Sequence, residues 1–232
     1  MKKLAFLMIV FCVGLVGCKQ DPLIPIRRLA RSDDLAKKME ASRDYQQVIN
    51  VLRDAYKSNA GLCKDIGRAL MMDRQFENAL EYFQESVKTR STDSTLYYWM
   101  AVCYVNRFKA DRSPATMATV YEYYEKSLNL MPNNKEVLYE FAQFLVFGAE
   151  NYPRAIEVLQ QNLTLLGSNF SADTYFLLGR AYYLSGEYDA ALRIYHQILD
   201  NKTSLSKEQI SRAEEFIDTT RMMLTGGADV GR

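Results

Sequence analysis

SADTYFLLGRAYYLSGEYDAALRIYHQILDNKTSL, Ser171 to Leu205, falls into two amphipathic segments around Ser185-Gly186. Tyr175, Leu178, Gly179 and Tyr182 recur at the helical period before the turn, and Tyr188, Ala191, Tyr195 and Ile198 resume it afterwards. The stretch therefore predicts two helices folded back on each other. Small side chains at Gly179 and Ala191 allow the helix axes to approach, while Tyr175, Tyr182 and Tyr195 fill the space beside them. One such pair has too little apolar surface to stand alone, so neighbours of the same kind are expected.

They are found on both sides. Ala60 to Asp93 places Cys63, Ile66, Gly67 and Leu70 on a first helix and Phe76, Ala79, Phe83 and Val87 on a second, with Asp73 positioned as its N-cap. Ser94 to Asn134 repeats the order with Tyr97, Met100, Ala101 and Tyr104, then Val120, Tyr124, Ser127 and Pro132, over a longer span. The excess equals about two helical turns, one added to each helix, so both faces are preserved. That hairpin should extend beyond its neighbours, with Arg107, Lys109 and Arg112 near its tip as solvated charges or, as the alternative, in contact with acidic lipid or protein, and Ser113-Pro114 capping its second helix. Lys135 to Asn169 gives Leu138, Phe141, Ala142 and Leu145, then Tyr152, Ala155, Leu159 and Leu163, with Pro153 at a helix start. Asp33 to Asn59 fits loosely, as one helix to Ala41 and a second carrying Tyr45, Val48, Leu52 and Tyr56. Ser206 to Leu224 opens with a capping box, Ser206 and Gln209, and has one apolar face.

This order of aromatic, Leu-Gly, aromatic, turn, small residue and aromatic resembles the tetratricopeptide repeat, a helix-turn-helix unit of about 34 residues. The residues that replace the early Trp of that motif are Cys63, Tyr97, Leu138 and Tyr175. The resemblance implies an all-α fold: a superhelix of antiparallel helix pairs with four clear repeats, one degenerate N-terminal repeat and a C-terminal capping helix. The repeat domain is expected over residues 32–224, with a tail after it.

The N-terminal stretch MKKLAFLMIVFCVGLVGC, Met1 to Cys18, is a basic start followed by an apolar run too short to span a bilayer comfortably. It reads as a signal peptide over residues 1–17. Its end, Leu15-Val16-Gly17-Cys18, resembles the lipobox of bacterial lipoproteins, which implies cleavage before Cys18 and its lipidation. Lys19, rather than Asp, follows the Cys, and by that resemblance favours the outer membrane, with the protein facing the periplasm. Residues 18–31, with Pro22 and Pro25, read as a tether.

Composition narrows the function classes. The 232 residues include 29 Lys and Arg against 28 Asp and Glu, a balance without the clustered basic face that nucleic acid requires. Cys63 and Cys103 remain in the folded part, either as buried thiols or as a disulfide. With His196 as the single His, a zinc site is not expected, and neither is a cofactor. No nucleophile-base spacing or phosphate loop suggests an enzyme. Asn162 and Asn201 begin glycosylation sequons by pattern, which chance explains.

In the resembled fold the first helix of each pair lines a concave groove. The stripe of those helices beside the packing face carries Lys64, Arg68 and Met72; Tyr98, Val102 and Asn106; Tyr139, Gln143 and Phe147; and Phe176, Arg180 and Tyr183. These residues either pack against neighbouring repeats or bind a partner. Tyr98, Tyr139 and Phe176, in register, exceed what packing needs. Some relatives clamp a peptide carboxylate with Lys and Asn on several repeats; Lys64 and Arg68 occupy two such places and the rest are absent. The function expected is a membrane-anchored scaffold or assembly factor that holds an envelope protein or peptide segment. The alternative is a carrier with a small apolar ligand among Met71, Tyr139, Phe147 and Tyr183. Oligomeric state is not readable from the sequence.

Overall fold

The computed structural model describes residues 23–226, and all regular structure in them is helical, as the tetratricopeptide resemblance implies. The helices are α1 (Ile24–Ala30), α2 (Leu35–Met72), α3 (Phe76–Val87), α4 (Ser94–Asp111), α5 (Pro114–Leu130), α6 (Lys135–Phe147), α7 (Tyr152–Leu166), α8 (Ala172–Leu184), α9 (Tyr188–Asp200) and α10 (Lys207–Gly226), with a 3-10 turn at Lys202–Ser204. The signal sequence and Cys18 lie outside the described residues. Two compact units divide between Gly61 and Leu62.

In the first unit two expectations are corrected. Residues 24–30, read as tether, form α1, because Pro25 is accommodated in the first turn and Ile26, 2% exposed, supplies an apolar anchor. Residues 33–59, read as a degenerate helix pair, contain no turn: α2 runs unbroken for 38 residues. Nothing between Ala41 and Tyr45 breaks a helix, and the two glycines within α2, Gly61 and Gly67, each cost only about 1 kcal/mol. Tyr45 and Val48 are half-buried, while Leu52 and Tyr56 are half-exposed, at 50% and 45%.

The second unit is built of consecutive helix pairs: the last turns of α2 with α3, then α4 with α5, α6 with α7, and α8 with α9. The first helices α6 and α8 also touch each other, and α10 packs on both α8 and α9, where a further first helix would lie. The small-residue argument holds at its sharpest points. A Cβ on Gly67 would stand 2.6 Å from the Phe83 ring and 3.2 Å from the Ala79 carbonyl, and one on Gly179 would stand 2.4 Å from the Tyr195 ring. Ala101 and Ala142, the equivalent residues of the other two pairs, are fully buried.

Two of the hairpins are tied by buried polar groups. Ser127 Oγ donates to the Ser94 carbonyl at 2.9 Å, and Asn162 Nδ2 to the Lys135 carbonyl at 2.5 Å, each tying a second helix to the start of its own first helix. Asn162 is therefore a structural amide and its sequon is closed off. The two longer helices, α4 and α5 with 18 and 17 residues, form the extended hairpin.

Side-chain caps fix the helix starts. Ser113 accepts from Ala115 N–H at 3.2 Å, with Pro114 following. Ser206 and Gln209 bond reciprocally, Ser206 N–H to Gln209 Oε1 at 2.9 Å and Gln209 N–H to Ser206 Oγ at 3.2 Å. Asp73, expected to cap α3, does not. The turn closes by Gln75 N–H to the Leu70 carbonyl at 2.8 Å, with Arg74 at φ 61°, and Gln75 becomes a cap without a side-chain bond. Cys63 and Cys103 are both buried free thiols, and burial pushes the Cys103 thiol up to about 12.

Candidate functional site

The side chains expected along the first helices divide into two groups. Five of them come together. Tyr139, Gln143 and Phe147 from α6 and Phe176 and Arg180 from α8 line one open depression of ≈ 400 Å³, completed by Asp173, Leu177 and, from α10, Arg212 and Phe216. The spacing responsible is the helical i, i+4, which puts Tyr139, Gln143 and Phe147 one above another on the face of α6 that neither α7 nor the next first helix covers. Phe147 is 60% exposed, a large apolar side chain left to solvent at the end of its helix.

A second depression of ≈ 320 Å³ lies on the other side of α6. Val105, Phe108, Lys109 and Arg112 from the extended hairpin face Glu140, Gln143, Phe144 and Phe147 across it, with Tyr124 below. Gln143 and Phe147 border both depressions, so the two are halves of one surface draped over α6. Glu140 sits at its floor. Burial, reinforced by the neighbouring Glu136 carboxylate, raises the Glu140 carboxyl above its ordinary value. Burial likewise raises the Tyr139 and Tyr124 phenols, so both remain neutral donors.

The other expected residues serve elsewhere. Lys64 is engaged in structure: its Nζ bonds the Asp93 carboxylate at 2.6 Å and lies 5.3 Å from the Trp99 ring centre, which ties α2 to the cap of α4 and rules it out as a free clamp residue. Arg68 and Met72 are exposed, on a different helix from the shared surface. Tyr98 is half-buried, its hydroxyl donating to Glu136 at 3.3 Å and its ring tilted against Tyr124 at 6.5 Å. Val102 is half-buried, and Asn106 spends its amide on the Val102 carbonyl at 2.9 Å and borders a separate shallow depression with Arg74 and Arg107. Tyr183 stands edge-on to Tyr188 at 5.5 Å.

Two arguments from the sequence change in consequence. Tyr98 and Phe176 are not surplus to packing, since Phe176 is 6% exposed and meets Phe216 edge-on at 6.0 Å; the aromatic offered to solvent is Phe147. Of the four residues expected around an enclosed ligand, Tyr139 and Phe147 share a depression, whereas Met71 packs into the cluster of α3 and α4 and Tyr183 lies against α9. Two of the three tip cations also differ from the simple solvated reading: Arg107 is paired with Glu77 through Nε at 2.9 Å, and Arg112 has its guanidinium 5.4 Å from the Phe108 ring centre, while Lys109 is exposed.

Sequence reasoning missed Arg212 and Phe216. They are four residues apart on α10, so they share a face, and that spacing was the available signal. Arg212 lies 3.9 Å over the Phe176 ring. Among the described residues no group of three His, Cys, Asp or Glu is placed to hold a metal ion, and no helix is long and apolar enough to cross a membrane.

Comparison with known proteins bears on the fold. A tetratricopeptide repeat model matches residues 174–206, the same hairpin from which the period was read. A comparison of the sequence with curated proteins finds no match. Among solved structures, MamA residues 41 to the end from Desulfovibrio magneticus RS-1 is similar at 20% identity and TM-score 0.55, covering 74% of this chain and 94% of that one. A thermophilic tetratricopeptide protein of Thermus thermophilus is similar at 16% identity and TM-score 0.53, over 83% and 98%. PilW, described as a widely conserved type IV pilus biogenesis factor, is similar at 11% identity and TM-score 0.51, over 72% and 78%. At these identities the likeness is one of fold: this chain has the helix-pair architecture of tetratricopeptide-repeat proteins.

Proposed function

We propose that this protein is a scaffold or assembly factor of a bacterial cell envelope, anchored through a lipidated Cys18 and holding a segment of another protein on the surface over α6. The observation that carries this reading is Phe147, an aromatic ring 60% exposed between two depressions that share it. A solvent-facing aromatic flanked by concave surface is the arrangement in which a partner's apolar side chain gains most on binding. PilW, similar in fold, is by its description a biogenesis factor, which agrees with an assembly role. The lipobox-like Leu15-Val16-Gly17-Cys18 and the basic, apolar stretch before it support the anchor, and Lys19 in place of Asp after the Cys supports the outer membrane, facing the periplasm. No catalytic step and no cofactor belong to this proposal.

The test is crosslinking of the full chain in its own membranes, read by mass spectrometry, comparing wild type with Tyr139→Ala/Phe147→Ala. A protein captured by wild type and lost in the variant, with helicity unchanged by circular dichroism, is the expected result; identical capture would remove the surface from consideration. Palmitate labelling with Cys18→Ser tests the anchor separately: label and membrane association should both disappear.

A further inference from the structure

The surface over α6 has a charge pattern that says what kind of segment suits it. Lys109 and Arg112 stand at one depression, Arg180 and Arg212 at the other. Three of these cations lie near rings: the guanidinium carbon is 3.9 Å from the Phe176 ring centre for Arg212, 5.4 Å from that of Phe108 for Arg112 and 5.6 Å from that of Tyr183 for Arg180. A guanidinium takes a carboxylate with two parallel bonds, and a ring beside it limits the positions it can occupy. Among the described residues none of the four has a carboxylate within ion-pair distance. Two acids border the same surface, Asp173 and Glu140, against these four cations, so the balance is cationic. The chain as a whole is nearly neutral, with 29 basic and 28 acidic residues, so this excess is local.

Building on the partner-binding reading above, we infer that the surface takes an acidic segment of a protein partner, with an apolar side chain against Phe147 and carboxylates on both sides of it. The two cationic ends stand on elements to either side of α6, so they are separated by more than its width of about 10–12 Å. An extended chain covers that width alone in about three to four residues at 3.3 Å each. The segment is therefore longer than that, with acids at its two ends and an apolar centre. Fixed cations at both ends also set its register, because a shift by one or two residues separates a carboxylate from its guanidinium.

Selection of random short peptides on the full chain in detergent tests this, run in parallel on Phe147→Ala and on a variant with Lys109, Arg112, Arg180 and Arg212 all changed to Glu. Both variants alter exposed or half-exposed side chains, and circular dichroism confirms that they fold; Arg180→Gln/Arg212→Gln is the milder substitute. Wild type should enrich peptides with Asp or Glu on both sides of an aromatic or Leu, and exchanging those acids for Asn or Gln should weaken binding about tenfold. The four-Glu variant should enrich Lys and Arg in their place. Enrichment that ignores charge but is lost in Phe147→Ala overturns the acidic segment and leaves the partner-binding reading standing. Enrichment that does not depend on Phe147 overturns both. Charge-dependent binding to vesicles containing phosphatidylglycerol, without enrichment of acidic peptides, would reassign the cations to a lipid surface and overturn the inference.

Discussion

The four helix pairs of the second unit divide into two kinds. In the pairs built on Gly67 and Gly179, the aromatic rings of Phe83 and Tyr195 occupy the space that a Cβ would fill. In the two middle pairs the same place on the first helix is Ala101 or Ala142, fully buried with its methyl group intact. Both solutions close the hairpin, by different means. A ring pressed on backbone gains contact area at the cost of a weaker helix, whereas Ala keeps helix propensity and leaves the ring to stack elsewhere, as Tyr124 does on Phe141 at 4.9 Å. The glycine is thus required only because of what stands opposite it.

Substitutions can break that comparison. Tyr195→Ala should cost the most, about 3–5 kcal/mol, since a fully buried ring is lost and the glycine opposite can fill none of the space; urea unfolding followed by circular dichroism measures it. Gly179→Ala should cost about 1–3 kcal/mol despite its better helix propensity, because the methyl group comes within 2.4 Å of the Tyr195 ring and something must shift. Adding Tyr195→Leu to Gly179→Ala should recover part of that loss, and a strictly additive double variant would show that the two residues do not meet. The reverse change, Ala142→Gly, should cost about 1 kcal/mol through the helix alone; a loss as large as that of Gly179→Ala would erase the distinction between the two kinds of pair.

The smallest effect concerns charge. The Glu140 carboxyl is raised above its ordinary value by burial and by Glu136. Its ionisation therefore costs the folded state stability. That cost is full above the raised value and vanishes as pH falls below the ordinary one. Glu140→Gln should raise Tm by about 2 °C near neutral pH and leave it unchanged in strong acid; scanning calorimetry across pH tests both parts.

The same pairing of small and aromatic residues explains what was legible in the sequence. From Ala60 onward each hairpin carries a small residue on one helix, an aromatic or Leu on the next and a turn between, and each of these hairpins forms. Before Ala60 only an apolar period was available. A period identifies a helix but not its ends: three expected helices, the third being the first helix of the Ala60 to Asp93 hairpin, are one. Half of the α6 surface was legible, because Tyr139, Gln143 and Phe147 follow from position on a first helix. Arg212 was not: α10 has no partner helix in sequence, so its lateral placement over Phe176 arises only when the stack is formed. Lys64 was misread for the complementary reason, since the carboxylate that engages it, Asp93, is the cap of a different helix.

The bonds that tie the stack together are short in another sense. Ser127 reaches back 33 residues to Ser94, Asn162 reaches 27 to Lys135, and even the Tyr98 to Glu136 contact between neighbouring pairs spans 38. Each hairpin can therefore find its contacts within its own stretch of chain, and topologies of this kind fold early and quickly. A protein arranged so is able to order itself segment by segment in the sequence in which it is made or delivered, with the last hairpin waiting only for α10 to cover it.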